Sequence, residues 1–467
     1  MLTGVKRVHL IGIGGIGVSA VARVLMARGF DVSGSDVRES QITTALREEG
    51  ATVTIGHDAT LVEDTDLVVY STAIPDTNPE LVAARSSDVR LRHRAEVLGA
   101  LLEPWESVGI IGTHGKGSVS AMITRCLDAD SRDPSFIIGG LLNDYGVNAR
   151  VTGPDGWVVV EIDESDGSLV HVRPKRLIVN NVEADHLNYY KDLEAVYDTI
   201  GSVLANEDGR AMAVLHVGDP GVREVVSRLP RPIRSMTCGF DDDLGDYPAD
   251  VVGSDLSVGS AGSRFTVTFR GKRLGELTMP QPGRYNAMNA LVAATAALSA
   301  QVPFEAIVRG LGDYQGIENR FTVVDAGPVR VVKDYISHPT GMRRVLAAAK
   351  TLQDGPITAI FKPYRFTMIH YLGDEYAVAF KDAEHVVITE LYTAGEVPIP
   401  GVNAPWLVDK IRNNGTDTAF VEDMEAIPEH LMERLVPGQQ IIFFGGDDLF
   451  RLADRFIALI NAQTDDS

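Results

Sequence analysis

The chain has 467 residues, 45% hydrophobic and 23% charged, which is typical of a globular protein with two to four domains. Its formal net charge of −21 argues against a nucleic-acid partner, because such partners require a basic surface. Two cysteines are too few for a disulfide framework or a cysteine-rich metal site. Because the sequence shows neither a signal-peptide pattern nor an apolar run of about 18 residues, we expect a cytoplasmic protein without a membrane partner.

The first hundred residues alternate between short apolar runs and helical patterns. The predicted elements, in chain order, are the strand RVHLIGI, a helix from Gly17 to Gly29, the strand DVSGSD, the strand DLVVYSTAIP and a helix near RAEVLGALL. This alternation predicts a parallel sheet with helices on its faces. We therefore expect a Rossmann-like N-terminal domain over residues 1–104.

Two further α/β blocks follow. The second, predicted over residues 105–315, has the strands WVVVEID and RLIVNNV, a small β-rich insert near residues 255–280 and a helix near residues 286–300. The third, predicted over residues 316–467, has the strands VRVVKDY, ITAIFKP, HVVITEL and QQIIFFGG. The predicted fold is therefore a three-domain α/β protein, with a P-loop-type parallel sheet in the centre and a second Rossmann-like domain at the end.

A glycine pattern in the first block predicts a nucleotide site. Gly12, Gly14 and Gly17 follow the first strand as G-x-G-x-x-G, and Asp36 ends the next strand. The glycines allow a tight turn and a close approach to phosphate at a helix N-terminus, and the acid can hold ribose hydroxyls. The pattern alone suggests NAD or FAD, but other nucleotides bind the same scaffold. Glycines that merely ease helix–strand packing remain the alternative.

The second block opens with GTHGKGS, residues 112–118, which resembles a phosphate-binding loop. The strict pattern G-x-x-x-x-G-K-[ST] fails twice, because Ile110 replaces the first glycine and Gly117 follows Lys116. The loop nevertheless offers N–H donors, a cation for β- and γ-phosphates, and a hydroxyl at Ser118. A nucleoside triphosphate is the predicted ligand, and a glycine turn with an incidental lysine is the alternative.

Two acidic clusters follow neighbouring strands. Their members are Glu161, Asp163, Glu164 and Asp166 in the first cluster and Glu183, Asp185 and His186 in the second. Open α/β sheets bind ligands at the carboxyl ends of their strands, where carboxylates can hold Mg²⁺ that bridges ATP phosphates. Solvated surface charge is the alternative for any single acid in so acidic a chain.

The order of these and later motifs is similar to that of the Mur ligase family. The matching segments are GIGGIGVSAVARVLMARGFDVSGSD, STAIPDTNPELVAAR, RAEVL, GTHGK, EIDESD, NVEADH, PGRYNAMNA, KDYISHPT, FKPYRF, TAGEVPIPG and FFGGDD. They cover nearly the whole chain, and the branch that adds L-alanine is the most similar. The resemblance implies an ADP-forming ligase of peptidoglycan synthesis that joins UDP-N-acetylmuramate to an amino acid, L-alanine or another, with ATP and Mg²⁺. It implies that ATP phosphorylates the acid and that the amine then attacks the acyl phosphate.

The resemblance also implies roles for individual residues. The implied UDP-sugar-binding residues are Gly12, Gly14, Gly15, Gly17, Ser35, Asp36, Ser71 and Ala73. The implied ATP-binding residues are Gly112, Thr113, His114, Gly115, Lys116, Gly117, Ser118, Asn286, Asn289, Arg320 and Asp334. The implied catalytic residues are Lys116, Glu161 and His186, the implied metal ligands are Ser118, Glu161 and His186, and the implied amino-acid-binding residues are Tyr335, His338 and Arg365.

Several positions depart from the family pattern. The GKGS ending resembles folylpolyglutamate synthetase, a relative in the same superfamily, and is the reason for choosing Ser118 as the hydroxyl ligand. Near the implied amino-acid site the family's histidine, histidine and second arginine are Ser337, Tyr364 and Met368. Methionine supplies neither charge nor a bidentate fork for a substrate carboxylate.

Three alternatives stay open at this stage. A divergent Mur-type ligase, for example of the pseudomurein type, would join another acid and amine. A pseudoenzyme would bind the UDP-sugar without turnover, and an NAD dehydrogenase would leave the phosphate loop and both acidic clusters without a role. The identity of the amine is also open, as is the choice between a monomer and a homodimer.

Overall fold

The protein is described here by a computed structural model that covers residues 1–153, 155–165, 167–205, 211–352 and 355–465. Asp166, a member of the first acidic cluster, lies outside the described residues. Within them no helix combines the length and the apolar character that crossing a membrane requires. Three sheets organise these described residues.

The N-terminal sheet is parallel throughout, with the strand order β3-β2-β1-β4-β5. Its strands are β1 (Arg7–Ile11), β2 (Asp31–Asp36), β3 (Thr52–Ile55), β4 (Leu67–Tyr70) and β5 (Arg90–His93). Its helices are α1 (Ile16–Ala27), α2 (Gln41–Glu48), α3 (Pro79–Arg85) and α4 (Arg94–Leu102), with a 3₁₀ turn at Ala59–Val62. The order of the strands reverses beside β1, and open α/β sheets bind ligands at such a point.

The central sheet has ten strands in the order β15-β14-β13-β12-β11-β10-β6-β9-β7-β8. The strands are β6 (Glu106–Ile111), β7 (Ser135–Leu142), β8 (Val147–Arg150), β9 (Trp157–Glu161), β10 (Arg176–Val179), β11 (Met212–His216), β12 (Ser235–Phe240), β13 (Val251–Gly259), β14 (Gly262–Phe269) and β15 (Lys272–Met279). The helices are α5 (Lys116–Ala129), α6 (Leu187–Tyr190), α7 (Leu193–Ala205), α8 (Pro220–Ser227), α9 (Asp241–Leu244), α10 (Arg284–Ser299) and α11 (Phe304–Gly312), with a 3₁₀ turn at Ser168–His171.

This central sheet is mixed, which refines the predicted parallel sheet with a small β insert. The insert corresponds to β13, β14 and β15, which pair antiparallel with one another. Because β13 also pairs parallel with β12, the insert continues the main sheet instead of forming a separate one. At the opposite edge, β7 and β8 form another antiparallel pair.

The C-terminal sheet has the order β16-β17-β21-β18-β19-β20, and only its β16–β17 pair is antiparallel. Its strands are β16 (Thr322–Ala326), β17 (Val329–Asp334), β18 (Ile357–Phe361), β19 (His385–Ile388), β20 (Asp417–Phe420) and β21 (Gln440–Phe444). Its helices are α12 (Pro339–Leu352), α13 (Phe366–Tyr371), α14 (Gly373–Ala379), α15 (Ala404–Asn413), α16 (Ile427–Met432) and α17 (Asp447–Asp465), with a 3₁₀ turn at Met424–Ala426.

Each sheet lies within one of the three predicted segments, although the boundaries at residues 104/105 and 315/316 stay a prediction. One apolar core continues from the N-terminal helices to a face of the central sheet. Trp105 lies in that core at the junction, is fully buried, and carries the Arg28 guanidinium 4.3 Å from its ring centre. Because this core is continuous, the glycine loop of the first sheet is held at a fixed place relative to the central one.

Candidate active site

The loop between β6 and α5 has the backbone shape that a phosphate-binding loop requires. Gly112 has φ +144° and Gly115 has φ +75°, conformations that side chains other than glycine adopt at a cost. A Cβ atom on Gly115 would lie 2.6 Å from Asn289 Oδ1, so there is also no room for one. The loop ends at the N-terminus of α5, where free N–H groups and the helix dipole favour an anion.

Lys116 is held by the loop and by the first acidic cluster. Its Nζ donates to Glu164 Oε1 at 2.6 Å and to the Gly112 carbonyl at 2.8 Å. Burial opposes the charge on Lys116, but the carboxylates of Glu164 and Glu161 outweigh it and raise the pKa of the ammonium. Burial also raises the pKa of Glu164 to about 7, against the effect of Lys116. The site therefore contains a charged lysine paired with a carboxyl group whose charge is easily lost.

Two asparagines that follow β10 hold the phosphate loop in place. Asn181 Oδ1 accepts the His114 N–H at 2.8 Å, and its Nδ2 donates to the His114 carbonyl at 2.9 Å. Asn180 Nδ2 donates to the same carbonyl at 2.8 Å and to Asn289 Oδ1 at 3.1 Å. Sequence reasoning assigned no role to these asparagines, although a polar pair directly after a buried strand beside the loop was a usable signal.

Glu161 ends β9 and lies beside the first turn of α5. Its Oε2 accepts the Gly139 N–H at 2.7 Å, and a Cβ atom on Gly117 would lie 3.2 Å from the same oxygen. Glu161 and Ser118 both line the same cavity, so the predicted carboxylate and hydroxyl are brought together. Asp163 instead accepts a bond from Arg94 at 2.6 Å, which ties the acidic cluster to α4 of the N-terminal domain.

His186 lies with Glu164 and Asp185, in a left-handed backbone conformation at φ +51°. Its Nε2 is 3.7 Å from Asp185 Oδ2 and 3.9 Å from Glu164 Oε1. Burial lowers the pKa of its imidazole, against the effect of Asp185. The neutral ring that results has a lone pair for a metal ion.

A cavity of about 510 Å³ lies between the central and C-terminal sheets. The predicted residues that line it are Thr113, His114, Gly115, Lys116, Gly117, Ser118, Glu161, Asn286, Asn289, Arg320, Asp334, Tyr335 and His338. Gly112, His186 and Arg365 are the predicted residues of this region that do not. The size and the polar lining suit a nucleotide.

The C-terminal side of the cavity is built around Asp334 at the end of β17. Its carboxylate accepts the N–H groups of Phe321 and Ile336, both at 2.8 Å. Burial raises the pKa of Asp334, against the effect of Arg320. Arg320 in turn lies over the Tyr335 ring, with Cζ 5.6 Å from its centre. Arg320, Asp334 and Tyr335 therefore form one contiguous wall.

Arg365 has φ +64° and directly precedes α13. Its backbone N–H donates to the Tyr392 carbonyl at 2.8 Å, and its Cζ lies 5.1 Å from the centre of the Tyr364 ring. Tyr364 and Tyr392 are stacked with their centres 5.5 Å apart, and Met368 packs on the C-terminal core. Helix α13 contacts α6, which begins directly after His186.

The N-terminal glycine loop is joined to β2 by hydrogen bonds. Gly12, at φ +73°, donates its N–H to the Ser35 carbonyl at 2.8 Å, and Gly14 N–H donates to Asp36 Oδ2 at 2.9 Å. Gly15 precedes α1, and a Cβ atom on Gly17 would lie 3.1 Å from Arg94 Nη1. Arg94, which sequence reasoning missed, therefore connects this loop to Asp163 of the central domain.

Other predicted sugar-nucleotide residues have different surroundings. Ser71 and Ala73 follow β4, the parallel neighbour of β1. The Ser35 side chain is fully buried, and its hydroxyl donates to Glu80 Oε2 at 2.7 Å. Glu80 also accepts from His9 and His57, both at 2.8 Å. The Ser35 hydroxyl is thus part of a buried network, and only its backbone reaches the glycine loop.

Comparison with known proteins identifies the family to which this chain belongs. The Mur ligase family catalytic domain matches residues 7–105, the Mur ligase middle domain residues 110–297, and the Mur ligase glutamate ligase domain residues 319–446. The chain belongs to the Mur ligase family. The predicted resemblance and the three-domain α/β fold are thereby confirmed, and the chain is an ATP-dependent, ADP-forming ligase of that family.

Individual relatives agree over the full length of this Mur ligase. It is 36% identical to the UDP-N-acetylmuramate–L-alanine ligase of Pelobacter propionicus, over 98% of each chain. It is 37% identical to the enzyme of the same name from Caulobacter vibrioides, over 95% of this chain and 94% of the other. The solved UDP-N-acetylmuramate–alanine ligase of Thermotoga maritima superposes with a TM-score of 0.79 at 27% identity, covering 98% of this chain and 99% of that one.

Proposed function

We propose that this Mur ligase joins the carboxylate of UDP-N-acetylmuramate to the amine of L-alanine and converts ATP to ADP and phosphate. The observation that carries the proposal is the cavity between two domains, in which Lys116 and Glu161 of one domain face Arg320 and Asp334 of the other. The full-length relatives named for these substrates support the choice of acid and amine.

A carboxylate lacks a good leaving group, and the proposed reaction supplies one. A carboxylate oxygen attacks the γ-phosphorus of ATP, the bond to the β-phosphate oxygen breaks, and ADP leaves. The acyl phosphate that results carries a good leaving group, so the amine attacks its carbonyl carbon and phosphate departs with the former carboxylate oxygen. The ammonium loses two of its three protons to solvent, one before the attack and one as the amide forms, and the third stays on the amide nitrogen. Lys116 stabilises the negative charge of the transferring phosphoryl group, and positioning supplies much of the rest.

The Lys116 ammonium must leave the Glu164 carboxylate before it can bind a phosphate. In this structure the ammonium is bound to Glu164, whose pKa is raised to about 7. An incoming phosphate offers the lysine a stronger anion, and Glu164 can then become protonated at little cost. We propose that Glu164 holds Lys116 in place at the loop until ATP binds.

We propose Mg²⁺ as the metal, with Ser118 and Glu161 as ligands at the phosphates. Their oxygens fit the ion, which prefers oxygen donors and keeps several waters. When bound, Mg²⁺ neutralises phosphate charge and polarises the γ-phosphorus. His186 is the proposed nitrogen ligand of a second ion, and its pKa, lowered by burial, keeps the imidazole neutral as this requires.

The remaining predicted residues keep their proposed roles. The glycine loop with Asp36 would bind the UDP part, the loop from Gly112 would bind ATP together with Asn286 and Asn289, and Arg365 would bind the carboxylate of the amino acid. We expect the chain to act as a monomer or a homodimer.

The direct test is phosphate release from ATP with Mg²⁺, UDP-N-acetylmuramate and each amino acid in turn, with the product identified by mass spectrometry. We expect release to depend on both the sugar nucleotide and L-alanine, and the product mass to equal their sum less one water. Release with UDP-N-acetylmuramate and a different amine would replace L-alanine. Silence with UDP-N-acetylmuramate across all amines would reject the proposed acid.

One observation favours an amine other than L-alanine. Met368 packs on the C-terminal core where the family carries a second arginine, so Arg365 has no neighbouring guanidinium there to share a substrate carboxylate. If specificity has moved away from L-alanine, Met368→Arg should raise kcat/KM for L-alanine about tenfold, since a hydrogen bond to a charged group contributes about 1.5 kcal/mol or more. Met368→Leu is the matched control. An unchanged or lower value for the arginine variant would show that Met368 does not limit the use of L-alanine.

A further inference from the structure

Three side chains outside the proposed magnesium site converge where the C-terminal domain meets the phosphate loop. His114 belongs to the loop, Glu183 follows β10, and His338 precedes α12 in the C-terminal domain. One donor atom from each lies within 4.8 Å of the others. The rings of His114 and His338 are 4.6 Å apart at their centres.

The cluster leaves a buried nitrogen without a hydrogen bond. His114 is 8% exposed, its Nε2 has no hydrogen-bond partner among the described residues, and Glu183 Oε2 lies 3.5 Å from that nitrogen. A buried imidazole nitrogen without a partner normally costs stability, so the arrangement calls for a ligand or another compensation.

His338 is oriented as metal-binding histidines commonly are. It is 5% exposed, and its Nε2 lies 3.1 Å from the Ala184 carbonyl, which can only accept. The proton is therefore assigned to Nε2, and the Nδ1 lone pair accepts the Thr340 N–H at 3.3 Å, a long hydrogen bond that a metal ion at Nδ1 would replace. A backbone carbonyl that fixes the tautomer in this way is the usual outer partner of a ligating histidine.

Glu183 supplies the negative charge. Arg344 contacts Oε1 at 3.3 Å, whereas Oε2 faces His114, so the second oxygen is available to a cation. Asp185 lies close enough to both histidines to add a favourable negative field.

From this geometry we propose that His114, Glu183 and His338 bind a divalent transition-metal ion of the zinc class. Two imidazoles and one carboxylate suit such an ion and suit Mg²⁺ poorly. Three protein ligands leave a fourth position, and His114 and His338 both line the cavity, so that position opens toward it. The ion would connect the phosphate loop to the C-terminal domain. It would therefore hold the two domains together across the cavity between them. This site does not depend on the proposed acid or amine.

The test uses Co²⁺ as the spectroscopic probe on the full chain in excess Mg²⁺, so that the oxygen-rich site is occupied. We expect one Co²⁺ per chain, with the intense visible absorption of a four-coordinate site that has nitrogen ligands, and displacement by Zn²⁺. Glu183→Gln and His338→Gln should each weaken Co²⁺ binding by at least about tenfold, since even outer partners of metal sites contribute that much. Circular dichroism and the Tm of each variant establish that it is folded.

Two controls separate this site from others. His171→Gln removes an exposed histidine and should bind Co²⁺ like the unmodified chain. Glu161→Gln removes a proposed magnesium ligand and should also leave the Co²⁺ spectrum unchanged. Equal Co²⁺ affinity in the unmodified chain, Glu183→Gln and His338→Gln would overturn the proposal, as would a spectrum lost in Glu161→Gln. Absence of visible absorption from four-coordinate Co²⁺ would overturn it as well.

Discussion

The chain contains two glycine loops that look alike in sequence and differ in chemistry. Both follow the first strand of a sheet and end at a helix N-terminus, before α1 and before α5. The N-terminal loop is joined through Gly14 N–H to a carboxylate, Asp36, whereas the central loop ends in a cation, Lys116. Both loops offer backbone N–H groups and a helix dipole. The added charge, negative from Asp36 and positive from Lys116, is therefore what distinguishes the two proposed ligands.

The difference explains why a glycine pattern is a weak guide to its ligand. An acid at the end of β2 accepts hydrogen bonds, which suits hydroxyl groups of a sugar and repels further phosphate charge. A lysine beside Glu161 and Glu164 suits a triphosphate that arrives with metal ions. The two loops are thus proposed to divide the substrates between them, sugar nucleotide on the first and ATP on the second.

Removal of the Lys116 cation should have the largest effect on turnover of the changes considered. Lys116→Ala should lower kcat about 10³-fold, because it removes a charged donor from the transferring phosphoryl group. Steady-state phosphate release measures the change, while KM for UDP-N-acetylmuramate should stay within about twofold if the loops act separately. Glu164 would be left buried without its partner, so Lys116→Ala/Glu164→Gln checks that the loss is not one of folding. Near-normal turnover in either variant would remove Lys116 from the chemistry.

A matched pair of glycine substitutions compares the loops directly. Gly115→Ala places a Cβ atom 2.6 Å from Asn289 Oδ1 at a positive φ, and should lower kcat/KM for ATP about 100-fold by displacing the loop. Gly14→Ala places one 2.8 Å from Asp36 Oδ2, a side-chain atom that can move, so the loss should be milder and fall on UDP-N-acetylmuramate. Equal effects of either variant on both substrates would contradict separate loops.

The buried carboxylate of Glu80 in the N-terminal domain should make the stability of the protein depend on pH. The pKa of Glu80 is lowered, since hydrogen bonds from His9, Ser35 and His57 outweigh the opposing effect of burial. A lowered folded-state pKa stabilises the protein above the unfolded value of 4.5, and that stability is lost as the pH falls through the folded value. Glu80→Gln should therefore cost about 2 kcal/mol at pH 7 and less at low pH.

Urea unfolding of the unmodified chain and of Glu80→Gln between pH 3 and pH 7 measures this dependence. A stability difference that did not shrink below pH 4.5 would show that the Glu80 charge is not what stabilises the network. Because Ser35 joins this network to β2, a change in KM for the sugar nucleotide and not for ATP is expected alongside.

Much of the fold follows from local pattern, and much of the site does not. Strands with continuous apolar runs, such as β1, β9, β18 and β21, were predicted near their observed positions. Strands such as β3 and β20, which are short and begin with exposed polar residues, give no comparable signal. The β insert of the central sheet was predicted, but its pairing with β12 and the antiparallel β7–β8 pair were not, because tertiary contacts decide which strands pair and in which direction.

In the site, the sequence motifs led to the phosphate loop, Glu161 and the wall around Asp334, since each is a compact motif. They could not show that Arg94 bonds Asp163, or that Asn180 and Asn181 hold the loop. Those contacts join residues distant in the chain, and no periodicity or spacing encodes them. For the same reason the group of His114, Glu183 and His338 is visible only in three dimensions.

The central claim is that this Mur ligase activates a carboxylate by phosphorylation at the Lys116 loop, and the fate of one oxygen atom tests it most directly. UDP-N-acetylmuramate labelled with oxygen-18 in its carboxylate would be turned over with ATP and L-alanine, and the released phosphate analysed by mass spectrometry. The account predicts one labelled oxygen in each phosphate, carried from the acyl phosphate when the amine expels it. Unlabelled phosphate accompanying amide formation would contradict it.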